Sequence, residues 1–153
     1  MKRTVFLDSE PLGLASQAQG VARADDCRKW LFDIESAGVR VVIPEIADYE
    51  VRRELVRAGA TAGIRRLDGL IARYTLLLVD RVALLRAAEL WALVRRAGKP
   101  TADRHALDGD AILAAQALTA IGPRGVATVA TTNISHLARF PGIDARLWTT
   151  ISY

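Results

Sequence analysis

The sequence is poor in cysteine, lysine and aromatic side chains, and it has no long apolar run. Cys27 is the single cysteine among 153 residues, which excludes an internal disulfide and is typical of a reducing cytoplasm. No apolar stretch approaches the roughly 18 residues that a membrane span requires. The apolar run 5–7 near the start is too short for the core of a signal peptide. We therefore expect a cytoplasmic protein.

Basic residues exceed acidic ones, and nearly all of them are arginine. Lysine and arginine total 21 and aspartate and glutamate total 17, which gives a formal net charge of +4. Of the 21, 18 are arginine and 3 are lysine. Arginine binds phosphate groups in a bidentate manner, so the composition is compatible with a polyanionic partner without proving one. A hydrophobic content of 51% excludes a disordered chain.

Short apolar runs of the β type alternate along the chain with longer segments of helical periodicity. Strands are predicted over 5–7, 39–43, 76–79, 126–130 and 145–148, and helices over 21–37, 44–58, 61–73, 81–97 and 109–121. With no internal repeat and no long linker, this alternation predicts a single domain, 1–153. The expected fold class is a three-layer α/β/α sandwich with a central parallel sheet of four to five strands.

In folds of this class the functional site lies beyond the carboxyl ends of the strands, near the point at which the strand order reverses. Asp8 directly follows the first predicted strand, although it would equally serve as a turn residue that bonds the next backbone amides. Glu50 lies nearly two turns into the helix after the second strand. It can face the sheet edge, or it can be a solvated charge beside neighbouring arginines.

Two acids flank Gly109 at the predicted start of the helix 109–121. Either acid can cap that helix and stabilise it by about 1 kcal/mol, but only one cap is needed. We assign the cap to Asp108 and the functional role to Asp110, because a first-turn position favours an ionised carboxylate through the helix dipole.

Polar residues also follow the fourth predicted strand, in the segment Thr131-Thr132-Asn133, where Asn133 has a turn or N-cap role as its alternative. Carboxylates from Asp8, Glu50 and Asp110 that met at one edge would repel one another and take up protons. A hard divalent cation removes this conflict, and Mg²⁺ or Mn²⁺ is the ion that oxygen ligands prefer. The sequence therefore predicts a metal site with phosphoryl-transfer chemistry.

These residues give the sequence a resemblance to the PIN-domain family, and within it to the VapC-like toxin ribonucleases. The resemblance spans nearly the whole chain and rests on the stretches 5–9, 43–50, 110–115 and 131–133. The most specific of these is 110–115, Asp-Ala-Ile-Leu-Ala-Ala, which matches the Asp-Ala-hydrophobic-hydrophobic-Ala-Ala helix start of the family.

The resemblance implies a metal-dependent endoribonuclease that hydrolyses RNA phosphodiester bonds. Asp8, Glu50 and Asp110 match the first three acids of the family, which implies that they are catalytic and bind Mg²⁺ or Mn²⁺. Asn133 stands where many members have a fourth acid, so the number of metal ions is left open.

Supporting roles are implied for two hydroxyl positions, Ser9 and Thr131, which would hold ligands or water together with Asn133. Arg52 and Arg53 are expected to guide the RNA strand, although paired arginines on a helix face are usually only solvated. The chain departs from the family pattern at Glu10, where asparagine is common, and at His136-Leu137, where many members have an acidic-aromatic pair.

The resemblance also implies partners, namely RNA, an antitoxin protein that covers the acidic cleft, and a second copy of the chain in a homodimer. Two other functions compete. A non-catalytic PIN-like RNA-binding module would explain the amide at Asn133. A phosphoacceptor receiver domain would use Asp8, Glu10 and Asp80, but it requires a lysine after the fifth strand, where the sequence has none.

Overall fold

The structure is a computed structural model that describes residues 3–98 and 104–153, with only the backbone described for 104–106. The described residues form a five-stranded sheet of order β3-β2-β1-β4-β5, in which every neighbouring pair is parallel. The strands are β1 Thr4–Leu7, β2 Arg40–Pro44, β3 Thr75–Leu77, β4 Ala127–Thr131 and β5 Ile143–Leu147. With helices on both faces, the expected α/β class with a parallel central sheet is confirmed.

Seven α-helices surround the sheet in the described parts of the chain. They are α1 Ser9–Ala15, α2 Ala22–Ser36, α3 Glu45–Arg57, α4 Thr61–Arg73, α5 Arg81–Arg96, α6 Arg104–Ile121 and α7 Ile134–Leu137, and a short 3₁₀ helix covers Trp148–Thr150. Four of the predicted helices are confirmed as α2 to α5. None of the helices in the described ranges combines the length and apolar character that crossing a bilayer requires.

The starts of α1 and α3 differ from the prediction, and each start contains or follows a proline. Asp8, for which a turn role was considered, is the N-cap of α1, and Pro11 lies in the first turn of that helix, where it needs no backbone N–H. Pro44 ends β2 and precedes the first residue of α3 instead of lying in its first turn.

The start of α6 corrects the assignment of Asp108 as a cap. The helix begins at Arg104, one turn before Asp108, which lies exposed inside it. Asp110 is consequently in the second turn, where a helix dipole has little effect, so the dipole argument for its ionised form was wrong. Asp103 and the side chain of His105 lie outside the described residues.

A buried glutamine fixes the two helices that carry acidic residues. The Gln116 side chain on α6 is almost fully buried, and its Nε2 donates to the Leu77 carbonyl at 2.7 Å. Its Oε1 accepts from the Ile46 backbone N–H at 3.3 Å, one of the N–H groups that the start of a helix leaves unpaired. Gln116 thereby ties α6 to the first turn of α3 and to the end of β3.

Candidate active site

The strand order reverses at β1, which pairs with β2 on one side and with β4 on the other. Asp8 immediately follows β1, and Thr131 is the last residue of β4. Their side chains meet at the carboxyl edge of the sheet, where this class of fold forms its ligand sites.

Asp8 is fixed by hydrogen bonds to both carboxylate oxygens. Its Oδ1 accepts from the Ser9 backbone N–H at 2.8 Å, which caps α1, and its Oδ2 accepts from the Thr131 hydroxyl at 2.8 Å. The Asp8 N–H donates to the Ala130 carbonyl at 2.9 Å. Because Thr131 is fully buried, the Asp8 carboxylate is held in one orientation at the end of the central strand.

Glu50 projects from α3 toward the same position, with 27% of its side chain exposed. Burial and then the Asp8 charge raise the pKa of Glu50, nearby Arg53 lowers it, and the Asp110 charge raises it further. The Arg53 guanidinium lies 4.0 Å from Glu50 Oε2, at the limit of an ion pair. Glu50 therefore belongs to one electrostatic cluster with Asp8 and Asp110.

Asp110 has a large pKa shift. Burial, followed by the Asp8 charge, raises its pKa to about 6, although Arg139 acts in the opposite direction. Its Oδ2 is buried and has no hydrogen-bond partner within the described ranges. The nearest cationic atoms are Arg139 Nη2 at 3.6 Å and His136 Nδ1 at 3.7 Å. The three carboxylates therefore lie close enough for the Asp8 charge to act on both Glu50 and Asp110.

Gly109 allows α6 to approach Glu50 closely. A Cβ built at Gly109 would lie 2.9 Å from Glu50 Oε1 and 3.4 Å from its Cδ. The glycine that was interpreted from the sequence as a helix start is therefore inside the helix, next to a site residue, and it sets the space for that carboxylate.

We expect Gly109→Ala to weaken the binding of Mn²⁺ at this candidate site by about ten- to hundredfold, because the added methyl group displaces the Glu50 carboxylate. Folding stability should stay the same or rise, since alanine in a helix is favoured over glycine by about 1 kcal/mol. The matched control is Gly69→Ala in α4, where no described atom lies within 4 Å of the new Cβ. Equal effects of the two variants on Mn²⁺ affinity would contradict the role of Gly109.

Comparison with solved structures assigns the architecture. No protein-family model matches the sequence, and no curated protein matches it either. A chain of VapBC2 from Rickettsia felis, bound to a DNA fragment from their promoter, aligns over 95% of this chain and 98% of its own, at 15% identity and a TM-score of 0.72. The chain has a PIN-like fold.

Two further complexes agree with this assignment. For VapBC-1 from nontypeable Haemophilus influenzae the TM-score is 0.66 at 17% identity, with 96% of this chain and 99% of that chain aligned. For DNA-bound VapBC from Salmonella typhimurium the TM-score is 0.64 at 21% identity, with 97% and 99% aligned. The resemblance to VapC-like PIN domains is confirmed at the level of the fold.

Within the PIN-like fold, the remaining predicted site residues lie around the acids in different ways. The Asn133 N–H donates to Thr131 Oγ1 at 2.9 Å, so Asn133 connects to Asp8 only through Thr131. Its Oδ1 accepts from the Ser135 hydroxyl at 3.3 Å. Ser9 contributes its backbone N–H to Asp8, and it is this group, not the hydroxyl, that the structure shows in contact with the site.

The two arginines predicted to guide RNA are placed differently. The Arg52 guanidinium bonds Asp48 at 2.9 Å and Asp68 at 2.8 Å, so it links α3 to α4. Arg53 is half-exposed, lies beside Glu50, and its guanidinium stands 5.4 Å from the centre of the exposed Tyr49 ring. Arg53 is therefore better placed than Arg52 to meet a phosphate group.

A groove of about 750 Å³ opens beside the acids. Ser9, Glu50 and Arg53 are among its lining residues, and most of the others come from α1, α3, α4 and the segment that leads from α1 into α2. The Arg66 side chain reaches from α4 to the Ser16 carbonyl at 2.7 Å and holds this wall in place. The walls of the groove come from distant segments, so its position beside the acids does not follow from local sequence patterns.

The site chemistry of the PIN-like fold is compatible with a hydrated Mg²⁺ or Mn²⁺ ion. Across residues 3–98 and 104–153 no three His, Cys, Asp or Glu side chains are arranged to hold an ion together. Mg²⁺, however, commonly binds through one or two carboxylates and keeps several waters. The unpaired Asp110 Oδ2 and the mutual repulsion between Asp8 and its two acidic neighbours fit such an ion. The residues that would hold it are Asp8, Glu50 and Asp110.

Proposed function

We propose that this protein is a metal-dependent endoribonuclease and acts as the toxin of a type II toxin–antitoxin pair. The observation that carries the proposal is the convergence of Asp8, Glu50 and Asp110 at the strand reversal of a PIN-like fold. Carboxylates so placed favour a divalent ion, and phosphodiester hydrolysis is a reaction that such ions assist.

Asp8 and Glu50 have different tasks in this proposal. A bound Mg²⁺ or Mn²⁺ ion would supply charge neutralisation and polarise a phosphoryl oxygen. Asp8, fixed by Ser9 and Thr131, is the rigid member that orients the site. Glu50 is the best-placed proton acceptor, because its partly exposed side chain lines the groove from which water can enter.

Arg53 and Tyr49 support RNA as the substrate. Both side chains are more than half exposed, and they lie together on α3 next to Glu50. A guanidinium can bind a backbone phosphate, and an exposed aromatic ring can stack with an unpaired base. Single-stranded RNA offers both groups, and so this pair favours an RNA strand that passes Glu50.

The groove beside Glu50 supports an antitoxin as protein partner. The similar solved structures are VapBC complexes, and the groove of this chain adjoins the acidic cluster. A segment bound in the groove would cover Glu50 and Arg53 and so block the site. For the proposed homodimer, the exposed apolar side chains of Leu78, Val82 and Leu85 offer a surface at the start of α5.

The test is cleavage of a fluorescent single-stranded RNA by purified protein with Mn²⁺, with Mg²⁺ or with excess EDTA. We expect cleavage with the metals, none with EDTA, and none by the matched Asp110→Asn variant. Cleavage at the same rate by Asp110→Asn would contradict the proposal.

RNA binding without cleavage in either metal would favour the non-catalytic module, the alternative suggested by the amide at Asn133. The receiver alternative would need Asp80 in its site, but the Asp80 carboxylate caps α5 by accepting from the Ala83 N–H at 2.8 Å.

A further inference from the structure

Arg139 faces the acidic cluster from the segment that follows α7. Its Nη2 is buried without a hydrogen-bond partner in the described part of the chain, and it lies 3.6 Å from Asp110 Oδ2. That oxygen is also buried and has no hydrogen-bond partner within the same ranges. The Arg139 Nε donates to the His136 carbonyl at 2.9 Å, which fixes the guanidinium against the carboxylate.

Two opposite charges placed in this way compensate each other. A buried ion that loses its partner is strongly destabilised, and a guanidinium remains charged at every ordinary pH. Arg139 has only 23% of its side chain exposed, against 39% for His136. The permanent charge and the deeper burial make Arg139, not His136, the counter-charge of Asp110. The same guanidinium acts to lower the pKa of Asp110 against the effect of burial.

We propose that Arg139 is a positioning residue and the built-in counter-ion of Asp110. Its guanidinium pairs with the Asp110 carboxylate in the metal-free protein and competes with a divalent ion for Oδ2. This inference rests on the proposed metal site. It assigns a function to Arg139 in the segment that follows α7. A cation at this position lowers the affinity for a second cation, whereas an acid would raise it.

Mn²⁺ affinity, measured by isothermal titration calorimetry, tests the competition. We expect Arg139→Gln to bind Mn²⁺ about tenfold more tightly than the wild type, because a positive charge close to the ion is removed. Arg139→Lys should restore affinity close to that of the wild type. The control is Arg146→Gln, whose guanidinium pairs with Asp144 on β5. Equal or weaker Mn²⁺ binding by Arg139→Gln, or an equal shift in the control, would overturn the proposal.

A second measurement separates this inference from the metal site itself. In EDTA, urea unfolding is compared for the wild type, Arg139→Gln, Asp110→Asn and the double variant. We expect Arg139→Gln to lower the unfolding midpoint in the wild-type background and to have a clearly smaller effect in the Asp110→Asn background. The same loss in both backgrounds would overturn the counter-ion role. If Asp110→Asn leaves Mn²⁺ binding unchanged, the metal site fails, while this cycle still decides on the ion pair.

Discussion

Replacing Asp8 with asparagine should reduce metal-dependent RNA cleavage by about a hundredfold or more, because the loss of a charged ligand removes several kcal/mol of charge stabilisation. The fold should be unaffected. Asparagine is as good an N-cap as aspartate, so its Oδ1 can accept from the Ser9 N–H and keep α1 in place. The Nδ2 group can donate to the Thr131 hydroxyl oxygen, which reverses the direction of the existing bond.

Single-turnover cleavage of labelled RNA and urea unfolding, measured on the same preparations, check this result. The matched control is Asp144→Asn, since Asp144 lies on β5 in an ion pair with Arg146 and has no contact with the acidic cluster among the described residues. We expect the control to cleave at the wild-type rate. A normal rate in Asp8→Asn would exclude Asp8 from the reaction, and a large loss of stability would show that its main role is to cap α1.

The sequence allowed the sheet and the position of Asp8 to be predicted because both depend on local patterns. Buried strands are continuous apolar runs, and the residue that follows such a run must lie at the strand end. Glu50 and Asp110 followed from the helix assignments and the resemblance. The start of α6 was misplaced, because a glycine inside a helix gives the same local signal as a helix boundary.

The contact of Arg139 with the site and the position of the groove could not be predicted, because both depend on which distant segments meet. Arg139 stands between Ala138 and Phe140, and nothing in its immediate sequence shows that its guanidinium faces Asp110. The position of Arg52 was likewise open, since its second ion-pair partner, Asp68, lies sixteen residues away on α4. Side-chain pairing between separate elements is therefore the information that the structure adds.

The raised pKa of Asp110 has a consequence for stability, since it means that the ionised carboxylate is unfavourable in the folded protein. Its pKa rises from the ordinary value of 3.8 to about 6 on folding. Between these two pH values the folded state binds more protons than the unfolded state. The free energy of unfolding therefore falls as pH rises from 4 to 6, and the penalty is complete above pH 6. The raised pKa of Glu50 acts in the same direction.

We therefore expect Asp110→Asn to be more stable than the wild type at pH 7.5 in EDTA, by about 1–3 kcal/mol. The pKa stays raised although Arg139 lowers it, so the cost of desolvating the Asp110 charge exceeds the gain from its pairing with Arg139, and the amide carries no charge to desolvate. Near pH 4 the difference should nearly vanish. Urea unfolding at both pH values measures it, with Asp144→Asn as the control in which no such gain is expected. If the wild type were as stable as Asp110→Asn at pH 7.5, the claim that the ionised Asp110 carboxylate destabilises the folded protein would be wrong. Saturating Mn²⁺ should raise the stability of the wild type and leave Asp110→Asn little changed, since the ion binds only where the negative charge is present.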